Sequence, residues 1–235
     1  MTAFLSEFIG TALLMTLGNG VVANVVLDKT KGNNSGWIVI AFGWAIAVFV
    51  GVYTATASGA HLNPAITIGD AVVSGNWDKL ATYIPAQFLG AMAGTTLVWL
   101  AYKQHLDETT NADLQLAVFC NAPAIRNTVH NFITEVIGTF VLMFSVLMLS
   151  NSKASVELGP LSALPVALLV LGIGLSLGGP TGYAINPARD LGPRIMHFIL
   201  PIKNKRDSDW GYSWIPVVAP IVGAVLAALV KKAIE

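Results

Sequence analysis

The chain has 235 residues, of which 54% are hydrophobic and only 11% charged, with a mean hydropathy of +0.67. A soluble domain carries about 25% charged residues on its solvated surface, so most of the outside of this chain must meet lipid. The 13 basic and 13 acidic residues balance, which excludes a cationic face for nucleic acid, and a single cysteine, Cys120, excludes a disulfide framework or a multi-cysteine metal site.

A transmembrane helix needs about 20 mostly apolar residues to cross a hydrocarbon layer of about 30 Å. Taken in chain order, 4–27 and 37–57 meet that length and give the first two spans. The apolar stretch 64–73 is too short to cross and is expected to be a half-helix. Residues 80–102 form the third span, followed by the longest polar connection, 103–127, and a fourth span over 129–150. A short polar connection, 151–159, leads to a fifth span over 161–177. The stretch 187–200 is a second half-helix, and after the charged segment 203–209 a sixth span covers 214–230. The apolar runs are continuous rather than alternating, which does not suit barrel strands. No basic segment precedes the first apolar run, so a cleaved signal peptide is not expected. The fold class is all-α, a single transmembrane domain.

The two halves resemble each other. Glu7-Phe8-Ile9-Gly10-Thr11 in the first span is matched by Glu135-Val136-Ile137-Gly138-Thr139 in the fourth, and Phe88-Leu89-Gly90-Ala91 by Ile221-Val222-Gly223-Ala224. The tripeptide Asn63-Pro64-Ala65 recurs as Asn186-Pro187-Ala188. The chain therefore divides into a first repeat half (1–103), a connecting loop (104–128) and a second half (129–235). Each half holds three spans, an odd number, so the second enters from the opposite face and the repeat is inverted. In inverted repeats broken helices meet near the midplane. The Gly-containing approaches to the two tripeptides read as re-entrant loops, because irregular backbone at membrane depth is tolerated where it lines a cavity.

Asn caps a helix N-terminus well, and Pro suits its first position because the missing N–H is not needed there. With its oxygen engaged in the cap, the NH₂ of each Asn is expected to point into the lumen. Each half-helix N-terminus also carries roughly half a positive charge, and two such ends facing each other repel cations.

Ser58-Gly59-Ala60-His61-Leu62-Asn63-Pro64-Ala65 and Gly182-Tyr183-Ala184-Ile185-Asn186-Pro187-Ala188-Arg189-Asp190 resemble the paired motifs of the aquaporin (major intrinsic protein) family. Asp190 with Arg194, and Pro216-Val217, resemble its glycerol-facilitator branch. The resemblance implies a selectivity filter of Trp44, Gly174, Tyr183 and Arg189, with Phe42 as the rival to Trp44 in the second span. Gly174 is expected to widen this ring. The resemblance also implies pore-facing backbone carbonyls at Gly59, Ala60, His61, Gly182, Tyr183 and Ala184. Glu7 and Glu135, acids inside apolar spans at equivalent repeat positions, read either as proton relays or as acceptors for the loop amides; the resemblance favours bracing, as it does for an Asp190–Arg194 ion pair. His105, His130 and His197 have no metal-ligand spacing, and no cofactor is expected.

The implied function is a passive channel for glycerol and other small neutral solutes that also passes water. A mainly water-selective pore and an ion-coupled transporter are the alternatives; no nucleophile–base pair suggests an enzyme. The resemblance further implies a homotetramer in the plasma membrane with cytoplasmic termini, whereas the distribution of Lys and Arg would choose the reverse orientation. Cys120 is expected to lie clear of the pore mouth.

Overall fold

The computed structural model describes residues 1–150 and 158–235, and among these every regular element is helical. The polar connection expected at 151–159, with Lys153, falls largely outside the described residues. Six helices are long and apolar enough to span a membrane: α1 (Ala3–Val26), α2 (Trp37–Thr54), α4 (Leu80–Glu108), α6 (Thr128–Ser150), α7 (Leu164–Leu177, entered through a short turn of helix at Gly159–Leu161) and α9 (Ile215–Ile234). Two shorter helices, α3 (Pro64–Ser74) and α8 (Pro187–Ile199), are the half-helices. At 1.5 Å per residue they reach only about 17–20 Å.

The connection between the halves is not simply a loop. Helix α4 runs to Glu108, beyond the expected end of its span, and an eight-residue helix, α5 (Ala112–Phe119), follows. The Asn111 side chain starts α5 by accepting the Asp113 amide at 2.9 Å.

Lipid offers helices no hydrophobic reason to associate, so close backbone approach through small residues does that work. A Cβ added at Gly90 would lie 2.4 Å from the Phe8 carbonyl oxygen, and one at Gly94 2.2 Å from that of Ala12, so α1 and α4 touch backbone to backbone. In the other half a Cβ at Gly223 would lie 2.4 Å from the Val136 carbonyl oxygen. Phe8 pairs with Val136 and Gly90 with Gly223 in the sequence repeat, so the same helix contact is built twice.

Polar chain segments collect at two opposite ends. At one end Lys79 pairs with Asp70 at 2.9 Å, and Lys232 donates to the Val72 carbonyl. At the other, Lys29 pairs with Glu108, Arg206 with Asp113 and Lys103 with Asp107, while the Lys203 amide donates to Asp107 at 3.1 Å. The Lys29 ammonium holds the exposed Glu108 carboxyl below the usual range. These contacts tie the 28–35 loop and the 203–209 segment to the central connection.

The glycine contacts make a prediction. Gly90→Val and Gly223→Val should each lower thermal stability in detergent by the equivalent of about 1–3 kcal/mol, the cost of overpacking. Gly172→Ala, whose Cβ would meet nothing within 4 Å, should leave the melting temperature unchanged.

Candidate functional site

The approaches to the half-helices bend through left-handed backbone at matching positions: Gly59, Ala60 and Leu62 have φ of 84°, 54° and 52°, and Gly182, Tyr183 and Ile185 have 79°, 43° and 45°. Left-handed φ is unfavourable for non-glycine residues, so surrounding contacts must hold these strands. Glu7 does so in the first half, accepting from Ser58 Oγ (2.6 Å), His61 N (2.9 Å), Leu62 N (2.7 Å) and Gln87 Nε2 (2.8 Å). Glu135 accepts from Thr181 Oγ1 (2.6 Å), Ala184 N (3.0 Å) and Ile185 N (2.9 Å). The amides of these strands are thus committed to the two carboxylates, and residues of both strands border the cavities.

Each strand ends at its Asn. Asn63 Oδ1 accepts the Ala65 amide at 2.9 Å, and Asn186 Oδ1 accepts those of Ala188 at 3.0 Å and Arg189 at 3.2 Å. Pro64 and Pro187 occupy the first helical positions. The NH₂ groups are not wholly given to the lumen, contrary to the expectation from sequence. Asn63 Nδ2 donates to the Ile185 carbonyl at 2.8 Å, and Asn186 Nδ2 donates to that of Leu62 at 2.9 Å. One N–H of each amide cross-links the tips, leaving the second for the passage.

Two cavities follow the strands. The inner, about 230 Å³, is bordered by Gly59, Ala60, His61, Asn63, Ala184 and Asn186 on one side and by apolar residues such as Val48, Leu142 and Val170 on the other. The outer, about 260 Å³, is bordered by Trp37, Asn121, Thr181 and Gly182. Trp44, Tyr183 and Arg189 border both, so the cavities adjoin at these three side chains. Arg189 lies over the Trp44 ring, with Cζ 4.3 Å from its centroid. Trp44 is 4% exposed whereas Phe42 is 51% exposed and turned outward. Gly18 of α1 admits the indole, since a Cβ there would lie 2.4 Å from Trp44 Cζ3.

Gly174 behaves differently from the expectation that it widens the ring. It borders neither cavity, and a Cβ on it would lie 2.9 Å from both Cζ and Oη of Tyr183. The phenol itself takes up the room that the glycine leaves.

Behind Arg189, Asp190 and Arg194 form a fully buried ion pair at 2.8 Å. Arg194 also donates to the carbonyls of Ser208, Asp209 and Asn121, while Asp190 accepts the Asn121 amide at 2.7 Å. This pair pulls the connection over the outer cavity, which Ala117, Cys120, Asn121, Ala122 and Ala124 help to wall. The expectation that Cys120 lies clear of the mouth is thus corrected, although the residue is only 1% exposed. Among the described residues, no group of three or more His, Cys, Asp or Glu side chains could hold a metal ion.

A six-span bundle in which the tips of two half-helices border one of two adjoining cavities is the architecture of a membrane channel. The chain belongs to the major intrinsic protein family, whose family model matches residues 1–231. It is 56% identical over 230 residues to a probable glycerol uptake facilitator protein of Thermotoga maritima, covering 97% of each chain. It is 56% identical over 232 residues to the glycerol uptake facilitator protein of Streptococcus pneumoniae, covering 98% of each. Among solved structures it resembles the aquaglyceroporin of Plasmodium falciparum with a TM-score of 0.86 and 34% identity, over 97% of this chain and 94% of that one.

Two outcomes are expected from this geometry. Glu7→Gln turns an NH₂ group toward donors that need an acceptor, so at least one buried N–H or O–H loses its partner, at about 1–3 kcal/mol. A lower melting temperature in detergent should report that loss. Burial pushes the Cys120 thiol well above its usual pKa, leaving little of the reactive thiolate at neutral pH. A mercurial should therefore modify native protein slowly by mass spectrometry, although the residue stands at the mouth.

Proposed function

We propose that the chain is a passive channel for glycerol and other small neutral solutes, passing water as well and excluding protons and ions. The observation that carries this reading is the junction of the two cavities, where the Arg189 guanidinium lies over the Trp44 ring and Tyr183 borders the same two cavities. No described residue accepts a hydrogen bond from that guanidinium, so its donors can serve a passing solute. A polyol presents carbon on one side and hydroxyls on the other. Its CH groups rest on the aromatic rings while its hydroxyls take donors from Arg189 and the Asn tips and acceptors from the carbonyls of 59–61 and 182–184. Replacing hydration in this way keeps the barrier low, because an unpaired polar group would cost several kcal/mol. The names of the relatives support the same substrate.

On this reading Trp44, Tyr183 and Arg189 form the filter, with Gly174 behind the Tyr183 ring, and Glu7, Glu135, Asp190 and Arg194 brace it. The chain is one channel domain with repeat halves 1–103 and 129–235 joined by 104–128. It works without a chemical step or cofactor, as a homotetramer in the plasma membrane. Its termini are cytoplasmic, which places the Arg189 constriction on the outer half.

Stopped-flow measurements on proteoliposomes test the reading. Glycerol flux should exceed that of empty vesicles, saturate weakly and ignore an imposed ion gradient. Water flux without glycerol flux would instead assign a water-selective pore, and dependence on an ion gradient a coupled transporter. Arg189→Val removes the fixed charge from the constriction and should raise proton or cation conductance above background; conductance that stays at background would overturn the filter assignment.

A further inference from the structure

Trp37 opens α2 at the outer cavity, and its indole Nε1 donates to the Gly174 carbonyl of α7 at 2.9 Å. Its ring meets the Tyr183 ring edge-on, with centroids 5.9 Å apart and planes at 77°. Gly174 and Gly178 stand one helical turn apart, the second capping α7. A Cβ at Gly178 would lie 2.6 Å from both Trp37 Cζ2 and Tyr183 Cδ1, and one at Gly174 2.9 Å from the phenol oxygen. The two glycines thus make a slot that accepts both aromatic rings. Inside it the Tyr183 hydroxyl is buried without a hydrogen-bond partner.

A buried hydroxyl without a partner is unfavourable, and a polar passage lies beside this ring. Rotation of the phenol into that passage would give the hydroxyl water to bond and would narrow the constriction. Something must oppose the rotation, and Trp37 is placed to do so: its edge packs on the phenol, and its hydrogen bond fixes the indole to the helix that forms the slot. We infer that Trp37 is a positioning residue for solute selection, acting as a clamp that keeps Tyr183 in the glycine slot and holds the constriction open to a polyol. The inference rests on the reading of Trp44, Tyr183 and Arg189 as the filter, and Trp37 acts on it through Tyr183 and the Gly174 carbonyl.

The readout is the ratio of glycerol to water permeability in proteoliposomes at matched protein density, which a purely structural loss would not shift. Replacing Trp37 by 3-benzothienylalanine keeps the ring shape and removes only the N–H. The ratio should fall about fivefold, the worth of one neutral hydrogen bond, with water flux less affected because water is smaller. Trp37→Ala should lower the ratio further. Gly174→Ala, which fills the slot and displaces the phenol, should lower it too, and should add little on top of Trp37→Ala. An unchanged ratio in the benzothienyl variant and in Trp37→Ala would overturn the clamp. Should Trp37→Ala not fold, the benzothienyl variant decides alone. Arg189→Val separates the two readings: cation leak in that variant with unchanged ratios at Trp37 defeats the clamp alone, whereas no leak defeats the filter and the clamp with it.

Discussion

Backbone amides at membrane depth have no water to bond, and a polar group left alone in hydrocarbon costs several kcal/mol. Everything at the centre of this protein follows from how two buried carboxylates meet that constraint. Glu7 and Glu135 gather the amides of His61, Leu62, Ala184 and Ile185, and so permit two non-helical strands inside the bundle. A carboxylate suits the task because both its oxygens only accept; an amide side chain would present a donor to donors. The carboxylates therefore hold the strands that line the passage, although neither acid borders the cavities.

The scaffold is pseudo-symmetric, yet its chemistry is not. Offsetting the second Asn-Pro-Ala motif onto the first places Tyr183 on Ala60, Ala184 on His61 and Arg189 on Ile66. The backbone conformations match at these positions, and so do the acids, the caps and the crossed Asn bonds. The second half puts an aromatic ring and a guanidinium where the first half puts a methyl group and an aliphatic chain. Tyr183 and Arg189, which border both cavities, stand where the repeat has diverged, and the symmetric residues around them form the frame that holds those departures in place.

The spans, the half-helices, the repeat and the Asn caps were legible in the sequence because each depends on local pattern: apolar length, an N-cap followed by Pro, and recurrence in order. Trp44 is buried at the junction of the cavities and Phe42 is exposed, and the contact that admits the indole, Gly18 on another helix, has no sequence signal. The Asn amides bond across the repeat to Ile185 and Leu62, over more than a hundred positions, which no local pattern shows. Nor does anything local show that the Tyr183 ring takes the room that Gly174 leaves. Helix α5 is too short to give a clear period, and its place over the outer cavity depends on Asn121 bonding to Asp190 and Arg194. Residues that act through distant partners were the ones that pattern could not show.

Two arginines five positions apart on α8 show how the fold divides structure from function. Arg194 is fully buried, and its donors are used by Asp190 and the carbonyls of Asn121, Ser208 and Asp209. Burying such a pair costs desolvation that only good geometry and added hydrogen bonds offset, and this one meets both conditions. Arg189 has the opposite situation: its backbone amide is held by the Asn186 cap, its guanidinium lies on Trp44, and no described residue accepts from its side chain. The first arginine's charge is used up holding the connection over the outer cavity. The second keeps its charge and donors at the junction of the cavities. A cation there meets repulsion with no compensating acid at the tips, while a neutral hydroxylated molecule meets donors that nothing else has claimed.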